Sequence, residues 1–156
     1  PTGTSTAAYY INDKSQVVGR ITYTNGDTGV FIWDKVNGKR DIGNLGGHHS
    51  DVYQINNKGQ VVGESDKANG RTHAFLWDNQ HGIKDLGSLG RKWSSAYDIN
   101  EKGQIIGQVS NVNSGFDRGF FIKQYGASMI NIGSLGGGGV WPHAINEKGQ
   151  IVGHSY

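Results

Sequence analysis

Cysteine is absent from this 156-residue chain, so neither a disulfide nor a thiolate metal site is open to it. That fits a cytosolic protein and a cysteine-free bacterial secreted one equally. Proline is scarce, 2 against 26 glycines, which points to many tight turns rather than a proline-rich linker. No run approaches the ~18 apolar residues of a membrane-spanning helix, so no membrane span is expected. Charge of one sign is lacking as well. The 15 Lys and Arg stand against 13 Asp and Glu and are scattered singly, without the basic stripe of a nucleic-acid binder. No signal-type segment is seen, and Pro1 in place of methionine leaves a processing site or a boundary open there.

What the chain has is a period. Ile11-Asn12-Asp13-Lys14-Ser15-Gln16-Val17-Val18-Gly19 returns as Ile55-Asn56-Asn57-Lys58-Gly59-Gln60-Val61-Val62-Gly63, then from Ile99 to Gly107 and from Ile145 to Gly153. A second block, Val30-Phe31-Ile32-Trp33-Asp34, recurs as Ala74-Phe75-Leu76-Trp77-Asp78 and more loosely at 119–123. A third, Asp41-Ile42-Gly43-Asn44-Leu45-Gly46, recurs at 85–90 and 131–136. The chain therefore reads as one repeat array, 1–156, with units at about 7–50, 51–94 and 95–140 and a partial unit at 141–156.

Each unit reads as four short strands; in the second these are expected at 51–56, 60–65, 72–78 and 83–89. Alternation places Tyr53 and Ile55 on one face, joined by Asp51 near the strand start. His73, Phe75 and Trp77 fall on one side of their strand and Ala74 and Leu76 on the other, which suits a strand packed on both faces. Asn-x-Lys-Gly-Gln fits a tight hairpin turn in which Gly59, Gly103 and Gly149 supply the left-handed residue. Ser15 takes that place in the first unit and should be slightly strained. The recurring Asn12, Asn56, Asn100 and Asn146 are placed to bond their own turn's backbone.

These blocks resemble the HAF-type repeat of bacterial secreted and surface proteins. The likeness rests on His73-Ala74-Phe75-Leu76-Trp77-Asp78, on the Ile-Asn-x-Lys-Gly-Gln-Val-Val-Gly segments and on Asp85-Leu86-Gly87-Ser88-Leu89-Gly90. The second unit alone carries the full His-Ala-Phe. The resemblance implies an extracellular or cell-surface location and an architecture, and leaves activity undefined.

An all-β chain of tandem four-stranded antiparallel repeats matches propeller blades. A β-trefoil is the alternative, against which the extra half unit counts. Three and a half blades do not close a ring, and open strand edges invite pairing. Self-association into a dimer, ring or filament is therefore expected.

Candidate sites fall in the segments joining units. The tandem His48-His49 and His143 suggest a metal, but a metal needs three or four ligands and the second joining segment offers Arg91-Lys92-Trp93 instead. Exposed loop histidines are the expectation. Trp33 and Trp77 recur at one position and are expected in the core, whereas Trp93 and Trp141 lie beside glycines and polar residues, where a ring can stack on a sugar or a partner. Packing between neighbouring units is the plainer reading of both. Glu64 with Asp66, and Asp117 with Asn111 and Asn113, offer oxygen to calcium, but follow no calcium-loop pattern; turn chemistry explains them as well. No phosphate loop, Gly-x-Ser-x-Gly elbow or clear carboxylate pair is present.

The chain is thus expected to be a non-enzymatic secreted or cell-surface repeat module with a structural or binding role, self-assembling through unpaired edges. It is expected to have no catalytic residue, metal or cofactor. The alternative is a carbohydrate-binding module using Trp93, Trp141, His48, His49 and His143 on a glycan, and less so a glycan-active enzyme.

Overall fold

A computed structural model of the chain describes residues 3–111, 117–136 and 138–155. Among them there is no helix. The first sheet is a meander of β1 (Gly3–Ile11), β2 (Val17–Tyr23), β3 (Thr28–Asp34) and β4 (Gly38–Asp41), every neighbour antiparallel. A second meander follows: β5 (Gly46–Ile55), β6 (Val61–Lys67), β7 (Thr72–Asp78) and β8 (Gly82–Asp85). The third is β9 (Trp93–Ile99), β10 (Ile105–Ser110), β11 (Arg118–Ile122) and the short β12 (Ile130–Asn131). These two meanders touch through a single parallel pair, Thr72 with Trp93, which makes them formally one eight-stranded sheet. A last hairpin joins β13 (Val140–Ile145) to β14 (Ile151–Ser155).

Local chemistry sets the strand ends. In the turn between first and second strands, the Asn56 carboxamide oxygen accepts from the Lys58 and Gln60 N–H groups, each at 3.0 Å. Gly59 then turns the chain at φ 76°, and Ser15 does so at φ 59°, a left-handed value that a Cβ makes costly. The expected strain at Ser15 is therefore present. At the end of the fourth strand, Asp41, Asp85 and Asn131 each accept from the N–H two residues on, at Gly43, Gly87 and Gly133. This Asx turn ends β8 at Asp85 rather than at the expected residue 89.

The cores lie between successive sheets. Val18, Val30, Ile32 and Ile42 of the first sheet meet Val52, Ile55, Val61, Phe75 and Trp77 of the second. Val62, Ala74 and Leu76, on the opposite side of the second sheet, meet Ala96, Ile99, Ile105, Val109, Phe120 and Ile122 of the third. The second sheet is thus apolar on both faces, as the composition of β7 led one to expect. Burying Phe75 and Phe120 completely is worth about 1.5–3 kcal/mol each before any packing contribution.

Two expectations are corrected. Val52, not Tyr53, shares the core with Ile55, because a register shift between Val52 and Gln54 inserts Tyr53 as an extra residue and breaks strict alternation. The same shift falls at Ala8/Tyr10 and Pro142/Ala144, and β9 shows it against Ile106/Gly107. Trp33 is not a core residue like Trp77. It is 40% exposed against 8%, since no sheet among the described residues covers the face from which it projects.

Candidate functional site

The hairpin turns between first and second strands are bonded to one another across the sheets. Asn12 donates from its carboxamide nitrogen to the Asn56 carbonyl at 2.9 Å, Asn56 to the Asn100 carbonyl at 3.0 Å, and Asn100 to the Asn146 carbonyl at 2.9 Å. Beside this line, the Asp13 N–H donates to the Asn57 side chain, Asn57 N–H to the Glu101 carboxylate and Glu101 N–H to the Glu147 carboxylate, each at 2.8 Å. The glutamine ending each turn lies against the next turn's glycine: Gln16 Oε1 sits 3.1 Å from where a Cβ on Gly59 would be, and Gln104 Oε1 3.2 Å from that on Gly149. The recurring Asn and Gly are therefore committed to holding neighbouring sheets together.

A second line lies where the units differ. The residue inserted by each register shift is Tyr9, Tyr53, Tyr97 or His143, and the residue after each recurring glycine is Arg20, Glu64, Gln108 or His154. The two pair within each unit. The Arg20 guanidinium stands 6.0 Å from the Tyr9 ring centre, Tyr53 bonds Glu64, Tyr97 Oη donates to Gln108 Oε1 at 2.8 Å, and His143 Nε2 meets His154 Nδ1 at 2.8 Å. They also reach the next sheet: Arg20 pairs with Asp51 at 3.3 Å, and Ser95 donates to the Glu64 carboxylate. The Tyr53 and Tyr97 rings meet edge to face at 5.6 Å.

Its middle members Tyr53, Glu64 and Tyr97 are half-buried and Gln108 is buried, and their electrostatics follow. Burial pushes the Glu64 carboxyl above its ordinary value, outweighing the bonds from Ser95 and Tyr53. Burial, then the neighbouring Glu64 carboxylate, raises the Tyr97 phenol to about 12, and Tyr53 is raised further for the same reasons. The Gln108 amide nitrogen is buried without a hydrogen-bond partner among the described residues. The chemistry on offer is a carboxyl that holds its proton to higher pH than an exposed glutamate, clasped by two hydroxyls between sheets.

The residues nominated by the sequence all lie on strands rather than in joining loops. β5 begins at Gly46, paired with Lys67, and so carries His48 and His49; Trp93 opens β9, and Trp141 and His143 belong to β13. His48 Nδ1 contacts the Asp27 carboxylate at 3.2 Å, and this bond lowers the Asp27 pKa. His49 is exposed. Trp93 carries the Lys92 ammonium 4.9 Å from its ring centre. Trp141 and His143 alone of the five are gathered at one place, through His154, whose ring stacks on Trp141 at 5.3 Å and 13°. No cluster of three or more metal-ligating side chains occurs among the described residues. Of the calcium candidates, Asn113 lies outside the described residues, and Asp66 accepts from Thr72 Oγ1 at 2.7 Å.

Sequence reasoning placed Tyr53 on a strand face only, and nominated none of Tyr53, Tyr97, Gln108 and His154 for a site. The signal was available: directly after the glycine that recurs in every unit, the next place runs Arg, Glu, Gln, His. Beside Trp141 and His154 there is also an apolar cleft of about 350 Å³, between the β13–β14 hairpin and the segment following β12.

The family whose model matches this chain, over residues 2–89, is described as "Protein of unknown function (DUF3466)". No curated protein matches the chain.

Proposed function

The chain belongs to that family of proteins of unknown function, matched over more than half its length, and from this premise we propose that it is a non-enzymatic repeat module of the HAF type. On this reading it is secreted or displayed at the cell surface, built of propeller-blade-like sheets, and associates with itself through uncovered sheet faces and edges. The observation that carries the reading is a contrast between equivalent positions. Ile55, Ile99 and Ile145 are 5%, 4% and 8% exposed, but Ile11 is 67% exposed; Val18, Val62 and Ile106 are fully buried, but Val152 is 63% exposed. Apolar side chains that serve as sheet-to-sheet contacts inside the chain stand open at its two outer faces. Such faces are interaction surfaces by default. The short parallel contact between the second and third meanders and the turn-to-turn bonds support blade-like stacking over a trefoil.

Sedimentation velocity across a concentration series tests the association. Concentration-dependent mass that Ile11→Lys or Val152→Lys abolishes supports it. A monomer at all concentrations removes it.

Binding of a glycan is a second reading, favoured by the Trp141–His154 stack beside the apolar cleft. Retention on immobilised polysaccharides that Trp141→Ala abolishes would support it, and no retention on any of them would end it.

A further inference from the structure

Three asparagines in the chain stand directly before a glycine: Asn25-Gly26, Asn37-Gly38 and Asn69-Gly70. Each asparagine is exposed, and each glycine turns the chain at positive φ, 88°, 67° and 73° in that order. Beyond the adjoining residues, nothing lies within 4 Å of where a Cβ on any of these glycines would be. Each glycine nitrogen is therefore unshielded by a side chain of its own or of a neighbouring strand. An asparagine before such a nitrogen is open to intramolecular attack on its carboxamide carbon. By sequence and by steric opening the three are alike; by what holds them they are not.

The hairpin tips at Asn25 and Asn69 share one turn. Gly26 N–H donates to the Tyr23 carbonyl and Gly70 N–H to the Lys67 carbonyl, each at 3.0 Å, so freeing the nitrogen costs the same in both. In both, the carboxamide oxygen accepts at 3.1 Å from the N–H two residues on, that of Asp27 or of Arg71. Asn25 also donates from Nδ2 to the Asp27 carboxylate at 2.9 Å, and Asp27 is tied in turn to His48 of β5. Among the described residues Asn69 Nδ2 makes no such bond. Charge divides the two further. The Asp27 carboxylate opposes the negative charge that attack places on the glycine nitrogen, and the Arg71 guanidinium favours it. Asn37 is held hardest: its Nδ2 donates to both Asp34 oxygens, at 3.0 and 3.1 Å, and its own N–H to Asp34 Oδ1 at 2.7 Å. Asp34 is buried.

We propose that Asn69, at the β6–β7 tip, is a self-modification site, deamidating ahead of Asn25 and far ahead of Asn37. The Gly70 nitrogen gives its proton to hydroxide and bonds to Asn69 Cγ. The carboxamide nitrogen takes a proton from water and leaves as ammonia, closing a five-membered imide. Water then opens the imide at either carbonyl, leaving an aspartyl or an isoaspartyl residue. Nothing is oxidised or reduced, and hydroxide and water are the only co-reactants. The product places a carboxylate beside Arg71, directly before Thr72, whose pairing with Trp93 joins the second meander to the third. The modification goes beyond the reading of the chain as a repeat module and does not depend on association.

The test is a time course of the intact folded protein in mildly alkaline, low-salt buffer, with peptide mapping by mass spectrometry at each of the three sites. Exchange of NH2 for OH should proceed at Asn69 at least about fivefold faster than at Asn25, the factor that one hydrogen bond of ordinary net strength is worth. Asn37 should lag Asn25 by at least about the same factor. Enzymatic methylation of isoaspartyl groups should track the Asn69 conversion and vanish in Asn69→Gln. Arg71→Glu, at an exposed position, should slow Asn69 by about threefold or more while circular dichroism stays unchanged. In guanidinium chloride, which melts the turns and screens the charges, the three rates should converge. Equal rates in the folded protein, or conversion led by Asn25 or Asn37, overturn the proposal. So does an order that persists undiminished in denaturant, since the fold would then not be its cause.

Discussion

Replacing Asn56 by alanine tests whether the turns act as cross-sheet fasteners or only as turns. Asn56 is 4% exposed and makes four side-chain hydrogen bonds. Two close its own turn from the Lys58 and Gln60 N–H groups, one holds Gln60 Oε1 at 2.8 Å, and one reaches the Asn100 carbonyl. At roughly 1 kcal/mol net apiece, with some relaxation of the turn, Asn56→Ala should cost about 3 kcal/mol. Asn100 makes the same set and should cost the same. Asn146 makes the turn bonds but is exposed, and the cross-turn bond has no counterpart for it among the described residues. Water replaces much of what is lost there, so Asn146→Ala should cost about 1 kcal/mol or less. For a chain of this size that means melting points lowered by about 6–12 °C for the first two and by about 4 °C or less for the third. Differential scanning calorimetry of the three variants reads the gradient directly. Equal losses at all three positions would mean that the cross-sheet bonds contribute nothing and the asparagines serve their own turns alone. Asn56→Asp sharpens the test: it keeps the acceptor for the two N–H groups but aims a carboxylate oxygen at Gln60 Oε1 and the Asn100 carbonyl. It should therefore be as damaging as alanine near neutral pH.

Glu64→Gln should stabilise the protein at pH 8 and leave it unchanged near pH 3.5. The folded-state pKa lies above the ordinary 4.5, so the native state binds more protons than the unfolded chain above that pH, and parent stability falls as Glu64 ionises. Melting curves whose separation does not vary with pH would refute the assignment. Ser15→Gly should gain about 0.5 kcal/mol by relieving the left-handed serine, whereas Gly59→Ser, at the buried equivalent against Gln16, should lose at least about 1 kcal/mol; urea midpoints give both signs. Trp77→Ala should cost about 3–5 kcal/mol and Trp33→Ala well under half of that, since the first empties a core and the second trims a partly exposed ring; comparable losses would contradict the burial difference.

How much of this was legible beforehand depends on how far each feature reaches along the chain. The turn chemistry was readable because it is local: Asn56 bonds residues two and four ahead, and the glycine's left-handed conformation follows from the turn type. The strand count and the two-faced burial of β7 were readable because both follow from periodicity. The inserted Tyr53 was not, since an extra residue in one strand is defined only by its partner strand. Nor was the start of β5, because Gly46-Gly47-His48-His49 reads as a loop until Gly46 is seen to pair with Lys67. Trp33 was misjudged for a related reason: its sequence surroundings match those of Trp77, and what differs is the presence of a neighbouring sheet. The raised Glu64 escaped notice because its partners, Ser95 and Tyr53, lie on other strands.

The variable line bears on which sheets can stand side by side. The backbone treats the sheets as equivalent, since the turn bonds, glycine positions and register shifts recur from one to the next. Stacking by backbone alone would therefore tolerate any order, or a sheet from a second chain inserted out of place. In the first two sheets the residue after the glycine removes that freedom by facing the next sheet's first strand. Arg20 meets Asp51, an attraction; Glu64 meets the Ser95 hydroxyl, a bond it can make without an opposing charge. If the second sheet followed another like itself, Glu64 would face a second Asp51, two carboxylates in a half-buried site, which costs far more than the neutral contact it replaces. Arg20→Glu creates that clash inside the chain without touching the apolar cores. It should destabilise the first interface at low ionic strength and do so less at about 1 M salt, where the repulsion is screened. Protease cleavage between the first and second sheets, followed over that salt range, would expose the difference, and equal resistance at both ends of the range would show that order is set by packing alone.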